Sequence, residues 1–215
     1  GKTTLIKQVI NQLFTIIDRK RILLYSFDEA GISPNVSLME QIIETKMREF
    51  SDGALYFFFD EVQYVDGWNA CLKKYVDLFP RLKFVVTGSS TLFLKTHARE
   101  SLAGRILETT MHPLNFGEFL RIQYGITQST PDQRKDKFWE YLAGGEFPYL
   151  SKLLTWSDKK EYVLQWVIGK IIQSDLPKLT RIVHPEKITA LMNVFIEGSG
   201  QLVEMQNLAS DMGIA

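Results

Sequence analysis

Short apolar runs alternate with amphipathic segments through the first half of the sequence, and this alternation limits the fold more than any other feature. The runs are RILLYSF at 21–27, ALYFFFDE at 54–61, RLKFVVTGSS at 81–90 and RILETTMH at 105–112. Runs this short and this rich in β-branched and aromatic residues are typical of strands buried on both faces. The sequence therefore predicts an α/β fold in which helices flank a parallel sheet of four strands.

Helical periodicity fills the segments between these strands. Apolar residues recur at helical spacing over 4–17, and further helices are predicted at 37–50, 67–79 and 91–104. Ser37 followed by Glu40 has the pattern of a capping box, so we expect the second helix to begin there.

Beyond Pro113 the alternation stops and the remaining segments are predicted to be helical. We divide the sequence into an α/β domain at 1–125, a helical lid region at 126–183 and a third region at 184–215. The polar stretch GITQSTPDQRKD lies near the first boundary and is typical of a linker.

The charge balance argues against some classes of partner. Lys and Arg together number 25, and Asp and Glu together also number 25. The net charge therefore provides no electrostatic attraction for non-specific binding to nucleic acid or to anionic membranes. Cys71 is the single cysteine, which excludes an internal disulfide and suits a reducing cytoplasm. No apolar run approaches the length of a membrane span. We therefore expect a cytoplasmic protein without membrane contact.

The first four residues, GKTT, match the second half of a phosphate-binding loop. They open an amphipathic helix, as that mechanism requires, because unpaired N–H groups and the helix dipole at such an end attract phosphate. Lys2 would reach the β- and γ-phosphates, and the Thr3 hydroxyl would bind Mg²⁺. The alternative is an exposed lysine and threonine without a role.

The run YFFFDE ends a predicted strand with two acidic residues, which is the Walker B pattern. Ligands of open α/β sheets bind at the carboxyl ends of the strands, where Asp60 is expected to lie. Asp60 would hold Mg²⁺, and Glu61 would orient and polarise the attacking water. Alternatively, the two acids form a solvated strand exit.

Two later segments add candidate residues. The strand KFVV is followed by Thr87, Ser89 and Ser90, whose hydroxyl groups could orient a water molecule, unless they form only a Gly-Ser turn. Arg105 follows SLAG and precedes the last predicted strand.

Together GKTT, FFFDEVQ, TGSS, LAGR and HPLNFGEF resemble the AAA+ ATPase superfamily, and more narrowly a prokaryotic branch of ATP-binding proteins. The resemblance covers about residues 1–150 and implies a P-loop NTPase fold, followed by an all-helical lid. It implies ATP and Mg²⁺ as ligands. The residues that match its nucleotide-binding and Mg²⁺-binding positions are Gly1, Lys2, Thr3, Thr4 and Asp60.

The same resemblance implies catalytic roles for three residues. Glu61 matches the second Walker B acid, and Ser89 matches the sensor position, where AAA+ proteins more often have Asn. Arg105 matches an arginine finger that acts on the nucleotide of a neighbouring subunit in a homo-oligomer, although a structural salt bridge is an equal alternative. Arg121 and Arg134 are the candidates for a second sensor arginine.

At both ends of the sequence the pattern predicts a domain that is only partly contained in these residues. VEMQNLASDMG followed by GIA resembles the first half of a helix-turn-helix, and in this family a winged helix that could bind DNA and a nuclease-like region usually follow. An alternative is a plain helical bundle. At the other end we expect about 25–35 further residues before Gly1, by the usual size of a strand and loop.

In AAA+ sheets the strand before the phosphate loop lies between the KFVVTGSS strand and the RILETTM strand. Because buried strand edges cannot stay unpaired, we expect either a gap of about 10 Å between those two strands or their direct pairing. In neither case should these residues alone hold a nucleotide well.

The favoured function is ATP binding and hydrolysis that serves as a switch or motor for a partner. The alternative is a nucleotide-binding or regulatory scaffold that does not hydrolyse ATP and binds protein or DNA through its helical region. The Glu61 carboxylate favours hydrolysis, because a scaffold has no need of it. Gln63 could contact the site or only its own loop.

Overall fold

The structure is a computed structural model that describes residues 1–28, 33–88, 102–128, 130–153, 155–176, 185–211 and 213. The chain divides into two compact units, Gly1–His112 and Pro113–Ala215. Among the described residues, no helix is both long enough and apolar enough to cross a lipid bilayer.

The first unit is a parallel sheet with helices, as the alternation of apolar runs predicts. Its strands are β1 (Ile22–Ser26), β2 (Leu55–Asp60) and β3 (Leu82–Val86), paired in the order β1-β2-β3. Its helices are α1 (Lys2–Leu13), α2 (Val36–Glu49) and α3 (Trp68–Leu78). The described part of the unit thus places β2 in the centre of the sheet, with β1 and β3 parallel to it.

Strand β2 is buried on both faces, as its uninterrupted apolar sequence predicts. Phe57 and Phe59 lie in the larger core, together with residues of α2 and α3. Phe58 points to the opposite face and packs against Ile6 and Ile10 of α1. Because successive side chains of a strand alternate between faces, this one strand joins both layers of helices.

Cys71 of α3 belongs to the larger core and is buried. Burial, with a smaller contribution from the nearby Glu40 carboxylate, raises the pKa of its thiol to about 11. A thiol with so high a pKa stays protonated at neutral pH and is a poor nucleophile, so Cys71 serves as a small apolar core residue.

The predicted capping box of the second helix is wrong. The Asn35 side chain accepts a hydrogen bond from Leu38 N at 2.9 Å and caps α2, which starts at Val36. Ser37 therefore lies inside the first turn. The carboxylate of Glu40 instead accepts a hydrogen bond from Lys74 Nζ of α3 at 2.9 Å, a tertiary contact that local sequence does not reveal.

The predicted fourth strand at 105–112 does not form. Within the described residues this segment pairs with no strand, and the Leu107 side chain is 94% exposed. Neither the expected gap between two strands nor their direct pairing occurs. A segment becomes a strand only when its backbone bonds with a neighbouring strand, and no described strand pairs with residues 105–112. The predicted helix at 91–104 lies mostly outside the described residues.

The second unit is helical in its described part, as predicted. Its helices are α4 (Phe116–Tyr124), α5 (Pro131–Leu142), α6 (Trp156–Tyr162), α7 (Pro185–Glu197) and α8 (Met205–Asp211). Helix α6 continues into π-helical turns at Val163–Ile168 and Ile171–Asp175. Capping boxes begin α4 at Asn115 and α5 at Thr130, and the rings of Phe116, Phe119 and Tyr141 pack between these two helices.

Candidate functional site

The N-terminus of α1 provides unpaired backbone donors. Gly1 is the N-cap, and Lys2, Thr3 and Thr4 form the first turn, in which the first intrahelical bond runs from Leu5 N to Gly1 O at 3.1 Å. No side chain of the described chain caps this end. The earliest N–H groups of a helix have no carbonyl partner within it, and the helix dipole favours an anion beside them. This end of α1 can therefore bind phosphate.

Thr3 and Asp60 are in direct contact, although 57 positions separate them in the sequence. The Thr3 hydroxyl donates a hydrogen bond to Asp60 Oδ2 at 2.6 Å. Asp60 ends β2 and is 2% exposed. A second hydroxyl, that of Thr87, donates to Asp60 Oδ1. The two hydroxyl groups therefore hold both carboxylate oxygens of a buried acid, and they come from α1 and from the end of β3.

Lys2 spans the same edge of the sheet. Its ammonium group donates a hydrogen bond to the backbone carbonyl of Gly88, two residues beyond the end of β3. The structure thus brings the predicted residues Lys2, Thr3 and Asp60 together at the carboxyl ends of β2 and β3, where ligands of open α/β sheets bind.

Glu61 follows Asp60 in an unusual backbone conformation. Its φ of 55° is the only positive value for a non-glycine residue in the described chain. The residue as a whole is 8% exposed. The next residue anchors the turn, because Val62 N donates to Thr87 O at 3.0 Å. The Glu61 carboxylate accepts a hydrogen bond from Gln63 Nε2. Strained backbone of this kind concentrates at functional sites.

The described contacts of Arg105 are with residues other than Lys2, Thr3, Asp60 and Glu61. Its Nε donates to Asp77 Oδ1 of α3 at 2.6 Å, and its Nη1 donates to the carbonyl of Ala103 at 3.2 Å. Ser89, the predicted sensor residue, lies outside the described residues, as does Ser90. Arg121 and Arg134 lie on α4 and α5 of the second unit.

The sequence alone does not predict three contacts of the site. Thr87 is one of several residues with hydroxyl groups after β3, and no local pattern marks it as the partner of Asp60. The carbonyl of Gly88, which accepts a hydrogen bond from Lys2, is a backbone group and carries no sequence signal. Gln63 follows the two acids in sequence, but the sequence does not show that its amide donates to Glu61.

The donor set fits Mg²⁺ better than a transition metal. In the described part of the chain, no group of three or more His, Cys, Asp or Glu residues is placed to hold a metal ion. Mg²⁺ is usually bound through one or two protein oxygens, with substrate phosphates and water as the other ligands. The Thr3 hydroxyl and the Asp60 carboxylate provide such a pair.

Comparison with known families agrees with this geometry. The family model described as AAA domain matches residues 1–120, which is more than half of the chain. The chain belongs to the AAA domain family. A second model, Domain of unknown function (DUF8612), matches residues 135–215. The AAA domain is of the nucleotide-binding, ATPase-like type, and its matched range contains Lys2, Thr3, Asp60 and Glu61.

The curated relatives are described as uncharacterized proteins. One from Methanocaldococcus jannaschii is 26% identical over 215 residues, which cover 98% of this chain and 47% of the relative. One from Haemophilus influenzae is 28% identical over 174 residues, which cover 80% of this chain and 42% of the relative. The chain thus spans less than half the length of these relatives. No solved structure gives a significant match.

The two interpretations of Arg105, an arginine finger and a structural salt bridge with Asp77, predict different effects of replacing it. The pair is about 40% exposed, so Arg105→Ala should change the free energy of unfolding by less than about 1 kcal/mol. If Arg105 acts on the nucleotide of a neighbouring subunit, the substitution lowers turnover per subunit only at protein concentrations that allow assembly. Phosphate release measured across a dilution series tests this. Turnover independent of concentration in both proteins would exclude a finger in trans.

Proposed function

We propose that this protein binds ATP together with Mg²⁺ and hydrolyses it to ADP and phosphate. The observation that carries the proposal is the contact between Thr3 and Asp60. This contact joins the N-terminus of α1, which we propose binds phosphate, to a buried acid at the end of the central strand. The AAA domain match over residues 1–120 supports the same function independently.

The residues of the site have complementary roles in this proposal. Backbone N–H groups of Gly1, Lys2, Thr3 and Thr4 would bind phosphate oxygens at the N-terminus of α1. Lys2 would exchange its bond to the Gly88 carbonyl for bonds to the β- and γ-phosphates. Thr3 and Asp60 would hold Mg²⁺, which when bound neutralises charge that develops on the phosphates.

Glu61 would carry the proton transfer. Its carboxylate lies one residue beyond the metal-binding acid, so it can accept a hydrogen bond from a water molecule aligned with the γ-phosphate. As the water oxygen bonds to phosphorus, the bond to ADP breaks and Glu61 accepts the proton. Catalysis of this kind depends mainly on positioning and on electrostatic stabilisation.

We further infer that nucleotide turnover changes how the helical regions at 126–183 and 184–215 engage a partner, in a homo-oligomer or otherwise. Support comes from the division of the chain into two units and from the second family match at 135–215. ATP binding without turnover would favour the scaffold alternative, in which these helical regions bind protein or DNA.

The test is to measure ATP binding and phosphate release by the whole protein, with and without Mg²⁺. Asp60→Asn keeps the shape of the side chain but removes its charge. It should lower Mg²⁺-dependent ATP affinity by about tenfold, a typical cost for disturbing a metal site. Asp66→Asn, the same change at an exposed position, is the matched control and should bind like the wild type. Equal affinities for both variants would contradict the proposed magnesium site.

A further inference from the structure

The turn that follows β2 brings together two side chains that regular structure would keep apart. In a strand, residues two positions apart lie on the same face but are separated by the rise of two residues. On a helix, residues two positions apart do not face each other. Glu61 and Gln63 nevertheless share a hydrogen bond, with Gln63 Nε2 as donor and Glu61 Oε2 as acceptor. The backbone at Glu61 is left-handed, with φ 55° and ψ 45°, and leads directly into the turn at Val62–Tyr64. This change of direction brings the side chains of Glu61 and Gln63 within hydrogen-bonding distance.

This arrangement costs stability in two ways. A non-glycine residue in the left-handed region is destabilised by about 1–2 kcal/mol. In addition, Gln63 Oε1 is buried and has no hydrogen-bond partner among the described residues. A buried acceptor without a partner costs about 1–3 kcal/mol. An apolar side chain of similar size at position 63 would avoid the second cost but would also remove the donor that the amide gives to the buried Glu61 carboxylate.

The direction of the hydrogen bond suggests what the amide does. A carboxylate can only accept, so the NH₂ group of Gln63 must face Glu61 and the carbonyl oxygen must point elsewhere. The amide thereby fixes the position of one oxygen of the Glu61 carboxylate. The turn itself is fixed by the bond from Val62 N to Thr87 O, and Thr87 also bonds Asp60. The Gln63 amide is therefore held in the same hydrogen-bonded unit as the metal-binding acid.

We propose that Gln63 is a positioning residue that aims the Glu61 carboxylate at the attacking water. This inference rests on the proposed function, since it assigns no role to Gln63 outside ATP hydrolysis. Gln63 does not itself exchange a proton or bind the nucleotide. It acts only through Glu61, so its effect is confined to the chemical step and depends on Glu61 being present.

The experiment uses steady-state phosphate release and ATP binding by the whole protein. Gln63→Leu removes the amide at nearly constant volume and should lower kcat by about tenfold, a part of the 10²–10⁴-fold usually contributed by a positioned base. The Kd for ATP should stay within about twofold, since no contact to phosphate is lost. Gln63→Asn, whose shorter side chain cannot reach Glu61, should behave like Gln63→Leu. Gln41→Leu, the same change on the exposed surface of α2, is the matched control.

A double-mutant cycle distinguishes positioning from a structural role. In a Glu61→Gln background, Gln63→Leu should cause no further loss of kcat, because the group it aims has already been removed. An equal loss in both backgrounds, or a loss of ATP affinity together with kcat, would overturn the inference. So would wild-type kcat in Gln63→Leu and Gln63→Asn, and that result leaves the proposed function intact. Absence of ATP turnover in the wild type would instead refute the proposed function and the inference with it.

Discussion

Glu61→Gln is expected to reduce ATP turnover by about 10²–10⁴-fold, the usual contribution of a general base, while ATP affinity stays close to that of the wild type. The amide has nearly the same shape as the carboxylate but cannot accept the proton of the attacking water. Binding should be spared because the groups that we propose to bind phosphate lie on α1 and the acid that we propose to bind Mg²⁺ is Asp60. The predicted signature is therefore a loss of kcat without a loss of binding.

Single-turnover phosphate release and equilibrium ATP binding measure these two quantities separately. Glu49→Gln, at the exposed end of α2, is the control for the same chemical change outside the site. Turnover at the wild-type rate in Glu61→Gln would remove Glu61 from the role of base. Loss of ATP binding would show instead that the substitution disturbs the strained turn, where φ of Glu61 is 55°.

Much of the site could be predicted from the sequence because its main parts follow local patterns. GKTT opens an amphipathic helix, and YFFFDE is a buried strand with acids at its exit. In a parallel sheet, helix N-termini and strand carboxyl ends meet at one edge. That topological rule brings Thr3 and Asp60 to the same edge without any knowledge of the residues between them, and in the structure their side chains share a hydrogen bond.

The errors and omissions arise where a partner distant in sequence decides the outcome. Residues 105–112 have the composition of a strand, but a strand forms only by pairing with another one, and no described strand pairs with these residues. The contact of Thr87 with Asp60 depends on the pairing of β2 with β3, and the contact of Gln63 with Glu61 depends on the left-handed turn at Glu61. Nothing in a single sequence signals a positive φ at a glutamate, since glycine is the residue that usually adopts it.

The AAA domain match identifies the type of site more firmly than the activity of the whole protein. The two curated relatives extend beyond the aligned region, since this chain covers 42–47% of their length. The site residues themselves are all in the first unit, where β2 determines their positions.

Strand β2 carries both the core and the site, so a change in its interior should have the largest effect on stability. Phe59 is fully buried, and its ring lies 5.5 Å from that of Phe27 and 6.2 Å from that of Phe84. Truncating such a residue loses transfer free energy and leaves a cavity. Phe59→Ala should therefore lower the free energy of unfolding by about 3–5 kcal/mol.

That loss is a large part of the about 5–15 kcal/mol that stabilises a typical domain, so the variant should unfold at a much lower urea concentration. Leu78→Ala, at a position in α3 that is 63% exposed, is the control and should change the free energy by less than about 0.5 kcal/mol. Because Phe59 directly precedes Asp60, a cavity at this point should also loosen the backbone that positions Asp60, the acid proposed to bind Mg²⁺. ATP should then stabilise Phe59→Ala less than it stabilises the wild type. Equal urea midpoints for Phe59→Ala and Leu78→Ala would show that β2 is not the centre of the folded core.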